Sequence, residues 1–155
     1  MKRSFELPEI QSVAEEVLEA VKPRRFTGAA VVALSGDLGA GKTTFTQAIA
    51  RELGVKEHLV SPTFVIMKFY NLPPTSPQPS PSQERGQFTK LIHIDAYRLS
   101  SKTELEKLGW QEIMSDPKNL ILIEWPEQVP GLIPSDAIKV NLSHKEESIR
   151  EIEIS

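Results

Sequence analysis

Residues 36–43 read Gly-Asp-Leu-Gly-Ala-Gly-Lys-Thr, which fits the phosphate-loop pattern G-x-x-x-x-G-K-[ST]. The glycines of this pattern let the backbone curl so that successive N–H groups point inward, at the oxygens of a phosphate. Lys42 would reach the outer phosphates, and the Thr43 hydroxyl would bind magnesium at the positive N-terminus of a helix. A glycine-rich turn that binds no ligand is the alternative. The pattern and its flanking elements favour binding of a nucleoside triphosphate.

Two carboxylates, Asp95 and Glu124, end apolar runs that are typical of buried strands. In open α/β sheets, ligands bind at the carboxyl ends of the strands, and a phosphate loop lies at the same edge. Hydrolysis of a bound triphosphate needs carboxylates that hold magnesium and orient the attacking water. Either acid alone could simply cap a turn or face water. Two of them beside a phosphate loop predict a hydrolytic site.

Four neighbours of these acids have less specific patterns. His93 points to the same sheet face as Asp95, although a histidine on a strand is more often packed or hydrogen-bonded than catalytic. Arg98, which follows Tyr97, could neutralise phosphate charge or pair with an acid, and Trp125 is more typical of a core or an interface than of nucleotide stacking. The guanine-reading tetrapeptide Asn-Lys-x-Asp does not occur in the sequence. We therefore expect an adenine nucleotide.

The elements that must position these residues follow from hydrophobic periodicity. The apolar run 29–34 predicts a buried strand before the loop, and residues 43–53 predict a helix that ends at Gly54. Apolar residues at helical spacing predict an earlier amphipathic helix, over residues 13–21, that ends at Pro23. A capping box predicts a short helix from Ser101 to Gly109. Further strands are predicted at 65–70, 90–94, 119–123, 137–142 and 148–154.

This order of elements predicts an α/β fold, a P-loop NTPase-like three-layer sandwich. Its sheet should be mixed and mainly parallel, because most predicted strands alternate with helices. The last two strands alternate apolar and polar residues, which predicts a C-terminal antiparallel pair.

The composition limits the class of protein. The chain has 155 residues and is expected to form one domain, 1–155. It contains no cysteine, so disulfides and thiolate metal sites are excluded. The apolar runs are too short for a membrane span, and the N-terminus lacks the apolar segment of a signal peptide, so a cytoplasmic protein is expected. A net charge of −3 disfavours autonomous nucleic-acid binding, and any link to RNA should run through a partner.

A proline-rich segment at about 72–88 fits no regular element. It contains five of the twelve prolines and almost no apolar residue, so it cannot build a core. We expect an exposed, disordered insertion with extended character. The alternative is a proline-rich ligand for a recognition domain.

Four motifs together resemble the TsaE family, also called YjeE. They are residues 36–44 (Gly-Asp-Leu-Gly-Ala-Gly-Lys-Thr-Thr), 61–64 (Ser-Pro-Thr-Phe), 93–99 (His-Ile-Asp-Ala-Tyr-Arg-Leu) and 123–127 (Ile-Glu-Trp-Pro-Glu). The resemblance spans roughly residues 5–154, apart from the proline-rich insertion. It implies a bacterial ATPase that works with the TsaB and TsaD proteins. These proteins attach a threonylcarbamoyl group to the adenosine beside the anticodon of tRNA.

The resemblance also implies roles for individual residues. Lys42 would clamp the phosphates, Thr43 and Glu124 would be magnesium ligands, and Asp95 would act nearby, through water or by orienting the nucleophile. Thr63 would sense the γ-phosphate and meet the partner. Residues 39–44 would wrap the ATP phosphates, Arg150 would lie close to the nucleotide, and Ser12 would help to hold the adenosine. The implied nucleotide-binding set is Asp37, Gly39, Ala40, Gly41, Lys42, Thr43, Thr44, Ser12 and Arg150, and the implied catalytic set is Lys42, Asp95, Glu124 and Thr63.

These inferences combine into an ATPase with ATP and Mg²⁺ as its cofactors and with slow turnover in isolation. Closure of the loop around Thr63 would let the partner dock, and hydrolysis would release it. A small phosphotransferase is the alternative, although such kinases usually need a lid with several arginines, and the long insertion carries only Arg85. A scaffold that binds ATP without hydrolysing it is a third possibility, which the two strand-end acids weaken.

Overall fold

The computed structural model describes residues 1–59, 65–73 and 88–155. The motif at 61–64, with Thr63, lies outside the described residues, as does most of the proline-rich segment predicted at about 72–88.

Seven strands form one mixed sheet, in the order β1-β7-β6-β2-β5-β4-β3. The central strand β2 is parallel to β5 and β6, and β4 is parallel to β5. The pairs β1–β7, β3–β4 and β6–β7 are antiparallel. The mixed sheet with a parallel centre and the C-terminal antiparallel pair are thus confirmed. The strands are β1 (Lys2–Glu6), β2 (Ala30–Ser35), β3 (Met67–Asn71), β4 (Lys90–Asp95), β5 (Asn119–Glu124), β6 (Ile138–His144) and β7 (Ile149–Ile154).

Burial explains which strands are parallel. Every residue of β5 is buried, as is every residue of β4 after the first, because helices cover both faces of the sheet there. In β6, buried and exposed residues alternate, since helices cover only one face. The exposed face of the β6–β7 pair carries polar side chains such as Lys139, Asn141 and Glu153. The three-layer arrangement therefore lies over the central strands.

Four α-helices flank the sheet in the described residues. They are α1 (Ile10–Val21), α2 (Lys42–Glu52), α3 (Lys102–Lys107) and α4 (Trp110–Ser115). α1 and α2 pack on one face, where Val17 and Phe45 meet Leu34 and Leu122 in one apolar cluster. α3 and α4 cover the other face, with Leu105 in a second cluster. No helix within the described ranges has the length and apolar character to span a membrane.

One strand and one α-helix of the described residues were not predicted from the sequence. Lys2–Glu6 forms an edge strand, although only Phe5 in it is buried, so it shows almost no apolar alternation. The predicted helix that ends at Gly109 is followed at once by α4, because Gly109 adopts a left-handed conformation (φ 93°) and begins a new helix.

The strand predicted at 65–70 begins at Met67. Ile66 before it has φ 67°, and the Met67 N–H donates to the Val65 carbonyl at 2.7 Å. Such a bond between residues two apart closes a tight turn.

Candidate functional site

The phosphate loop joins β2 to α2. Gly36, Gly39 and Gly41 all have positive φ angles (143°, 80° and 101°). A Cβ atom on Gly36 would lie 2.2 Å from the Leu142 carbonyl oxygen, so only glycine fits there. Gly41 is the N-cap of α2 and supplies no side chain to cap the first turn. The positive end of α2 is therefore open for an anion.

The two strand-end acids lie side by side beneath α2. Asp95 and Glu124 are register partners in the parallel pair of β4 and β5. Both are nearly buried, with exposed fractions of 5% and 2%. The Thr43 hydroxyl donates to Glu124 Oε1 at 3.1 Å, and the Tyr97 N–H donates to Asp95 Oδ1 at 3.0 Å. The topology thus links the phosphate loop to both acids.

Lys42 is buried within its own loop. Its Nζ donates to the carbonyls of Gly36, at 2.5 Å, and Asp37, at 2.9 Å. It also lies 4.1 Å from the ring centroid of Trp125, in a cation–π contact. Burial lowers the pKa of Lys42, and nearby acids, Glu124 foremost, oppose the shift. The lysine charge is therefore held at the loop by carbonyl and aromatic groups.

The loop and the acids open onto one cavity of about 350 Å³. Tyr97 and Trp125 form an aromatic side of it, with ring centroids 5.0 Å apart at an angle of 51°. Trp125 has a left-handed backbone (φ 58°), so the chain turns sharply directly after Glu124. The lining residues are Leu38, Gly39, Gly41, Lys42, Thr43, Thr44, Asp95, Tyr97, Glu124 and Trp125.

Most of the predicted site residues that the structure describes line this cavity, but four of them do not. Ala40 is buried in the loop, and exposed Asp37 contributes its carbonyl to Lys42. Ser12 lies on the exposed face of α1 and lines a separate groove of about 580 Å³. Arg150 is buried in β7 and donates to backbone carbonyls of the β6–β7 hairpin, including that of Glu147 at 3.3 Å. Contacts of Ser12 and Arg150 with a nucleotide stay predictions.

Two further residues reach Glu124: His93, whose pattern is more typical of a packed side chain, and Thr46, which no motif marks. His93 is fully buried, and its Nε2 lies 3.1 Å from Glu124 Oε1. Thr46 is also buried; its hydroxyl donates to the Lys42 carbonyl at 3.0 Å and lies 3.5 Å from Glu124 Oε1. The two-residue period places His93 on the same face as Asp95, but the contact with Glu124 depends on the β4–β5 register.

The donor set fits magnesium better than a metal that needs several protein ligands. Within the described residues, no group of three histidine or acidic side chains could hold a metal ion. Mg²⁺ typically takes one or two carboxylates and completes its shell with water and phosphate oxygens. Glu124, Asp95 and the Thr43 hydroxyl match that requirement.

A family model described as "Threonylcarbamoyl adenosine biosynthesis protein TsaE" matches residues 6–152 of the chain. The chain belongs to the TsaE family. TsaE proteins take part in the biosynthesis of threonylcarbamoyladenosine in tRNA, and this chain shares that family role.

Curated relatives named "tRNA threonylcarbamoyladenosine biosynthesis protein TsaE" are similar over most of the chain. The protein from Rickettsia felis is 34% identical over 143 residues, which cover 92% of this chain and 71% of the relative. The protein from Haemophilus influenzae is 33% identical, over 81% of this chain and 70% of the relative. The crystal structure of Bacillus subtilis YdiB has a TM-score of 0.67 at 28% identity and covers 98% of this chain and 82% of that one. This TsaE chain has the P-loop NTPase fold, as predicted.

Proposed function

We propose that this chain binds ATP with Mg²⁺, hydrolyses it slowly, and thereby drives the TsaB and TsaD proteins in threonylcarbamoylation of tRNA. The hydrogen bond from Thr43 to Glu124, at 3.1 Å, is the observation that carries this proposal. It joins the residue that a phosphate loop offers to magnesium with a carboxylate on a neighbouring strand. A loop that served only to bind phosphate would need no such acid.

The loop supports binding of the triphosphate. Backbone N–H groups at the start of α2 can donate to phosphate oxygens, and Lys42 can exchange its carbonyl partners for them. Thr43 and Glu124 would hold magnesium, with Asp95 beside them, and the metal would neutralise charge on the phosphates. Asp95 would orient the attacking water, since the bond from the Tyr97 N–H fixes its carboxylate at the cavity wall.

The contacts of the Lys42 ammonium group explain why turnover should be slow in isolation. Its charge is already satisfied by two carbonyls and the Trp125 ring, so these contacts must break before it can stabilise a transition state. We assign the trigger to docking of the partner, and the sensing of the γ-phosphate to Thr63.

The rim of the cavity supports such docking. Leu38 is 79% exposed and Tyr97 is 48% exposed, and both line the cavity. Exposed apolar side chains around a polar site are typical of an interface with another protein. With a net charge of −3, the chain would meet tRNA only through the TsaB–TsaD complex, in the cytoplasm.

Phosphate release from Mg-ATP, with and without TsaB and TsaD, tests the hydrolysis. We expect a slow rate for the isolated chain, a faster rate with the partners, and losses in Lys42→Ala and Glu124→Gln. Glu153→Gln is the matched control, because this exposed acid lies outside the cavity. Repeated rounds of tRNA threonylcarbamoylation with Lys42→Ala protein would refute the proposal. Phosphate found on a metabolite would favour a small phosphotransferase instead.

Nucleotide binding can be measured separately by tryptophan fluorescence. Trp125 lies at the cavity and Trp110 in the core of the opposite sheet face, so each can be observed alone. In a Trp110→Phe variant, ATP should change the emission of Trp125. In a Trp125→Phe variant, Trp110 should report almost nothing. If the emission of Trp125 reached half of its change at a lower concentration of GTP than of ATP, GTP would bind more tightly and the assignment of adenine would be wrong.

A further inference from the structure

We propose that His93 is a positioning residue that holds the Glu124 carboxylate in the orientation required for the Mg-ATP chemistry. This inference rests on the proposed function. His93 lies on β4 opposite Leu122, so it sits diagonally across from Glu124 on the face that α2 covers. Its Nε2 lies 3.1 Å from Glu124 Oε1, and its side chain has no solvent exposure.

Burial decides which ring nitrogen carries the proton. Among the described residues, His93 Nδ1 is buried and has no hydrogen-bond partner. A buried N–H without an acceptor is a costly arrangement, because it loses its hydrogen bonds to water. We therefore place a proton on Nε2, which makes His93 a hydrogen-bond donor to Glu124.

The two oxygens of the Glu124 carboxylate have different contacts. Oε1 accepts from His93 and Thr43, both at 3.1 Å, whereas Thr43 lies 3.4 Å from Oε2. The Thr46 hydroxyl lies 3.5 Å from Oε1, but it makes its shorter hydrogen bond, at 3.0 Å, to the Lys42 carbonyl. Oε1 is thus anchored, and Oε2 is the oxygen left for water or a metal ion. Thr43 cannot be the sole anchor, because the same hydroxyl is proposed to bind magnesium. His93 supplies a second anchor from β4, on the side of Glu124 away from the phosphate loop.

A pair of amide variants separates positioning from packing. In His93→Gln the amide nitrogen follows Cβ by the same number of bonds as Nε2, so it can still donate to Glu124. In His93→Asn the amide ends one bond earlier, at the place of Nδ1, and cannot reach. Both variants bury one amide in the same space. If His93 had only a structural role, the two variants would lose similar amounts of activity. Alternatively, the smaller Asn variant would be less stable but would keep its activity and its Mg²⁺ requirement.

The measurements are ATP hydrolysis and the Mg²⁺ concentration that gives half of the maximal Trp125 response to ATP. We expect His93→Asn to lower kcat by roughly 10- to 100-fold and to raise the Mg²⁺ requirement, as for other groups that orient metal ligands. Binding of ATP without Mg²⁺ should stay unchanged, and His93→Gln should recover most of both losses. His144→Asn, on an exposed histidine of β6, is the control and should change neither quantity.

Two results would overturn the inference while leaving the proposed function in place. One is a folded His93→Asn protein with the normal Mg²⁺ requirement and rate. The other is an equal loss in His93→Gln and His93→Asn. A native chain that binds ATP but releases no phosphate would refute the hydrolysis alone, and the Mg²⁺ dependence of binding would then decide the role of His93. Absence of any Mg²⁺-dependent ATP binding by the native chain would overturn both.

Discussion

Removal of Glu124 should destabilise the protein even without nucleotide, because it leaves a buried donor unpaired. In Glu124→Ala, the His93 Nε2–H loses its acceptor in a place without solvent exposure. The Thr43 hydroxyl also loses an acceptor, but it lines the cavity and can turn to water. The penalty specific to the pair therefore comes from His93. A hydrogen bond to a charged group contributes roughly 1.5–3 kcal/mol, so we expect a coupling of about 2 kcal/mol.

A double-mutant cycle isolates this coupling from the loss of packing. The four proteins are the native chain, Glu124→Ala, His93→Leu and the double variant, each unfolded in urea at neutral pH without nucleotide. Their slopes against urea must agree, so that the free energies of unfolding can be compared. The double variant should be about 2 kcal/mol more stable than the sum of the single losses predicts. Glu124→Ala combined with His144→Leu serves as the uncoupled control.

Additivity within about 0.5 kcal/mol would refute this reasoning, because distant and independent sites behave in that way. It would mean that the 3.1 Å contact contributes no net stability and that another group satisfies His93 when Glu124 is absent.

Two further predictions concern the phosphate loop. Burial lowers the pKa of Lys42 in the folded protein below its ordinary value of 10.5. The unfolded chain therefore binds the Lys42 proton more firmly than the folded chain does. The free energy of unfolding should consequently rise as the pH increases towards 10.5. Urea unfolding over this pH range should show a flatter dependence for Lys42→Met, and identical curves would contradict the shift. Gly39→Ala should lower the free energy of unfolding by roughly 1–2 kcal/mol, because alanine must adopt a left-handed backbone there but its Cβ would face open space. Gly36→Ala should lower it far more, because the new Cβ would also meet the Leu142 carbonyl. Equal losses in thermal or urea unfolding would contradict this difference.

The centre of the site could be predicted because its residues follow strong local patterns. The run 29–34 and the loop after it indicate strand, turn and helix without any tertiary information. Glu124 ends a continuous apolar run, and Asp95 ends a run that only His93 interrupts; such runs are typical of strands that are buried on both faces. Both acids therefore had to lie at the carboxyl edge of the sheet, where the loop also lies.

The pairings across the sheet could not be predicted, because they depend on strand order and register. No local pattern states that β4 and β5 are neighbours, or that Asp95 lies opposite Glu124. The contact between His93 and Glu124 could not be predicted for the same reason. β1 could not be predicted because a short edge strand that buries one side chain has no hydrophobic periodicity. The turn at Ile66 is accompanied by a tertiary contact as well, because the Asp95 N–H donates to the Ile66 carbonyl at 2.8 Å.

The strand order has a consequence for synthesis of the chain on the ribosome. β2, which carries the phosphate loop, pairs with β5 and β6, and both are made long after it. β4 likewise needs β5 for its parallel partner. A nascent chain that stops before residue 119 therefore has Lys42 and Thr43 but neither the supporting strand nor Glu124. The proposed Mg-ATP site is therefore incomplete in the early chain, and the apolar strands β2 and β4 lack their parallel partner until β5 has left the ribosome.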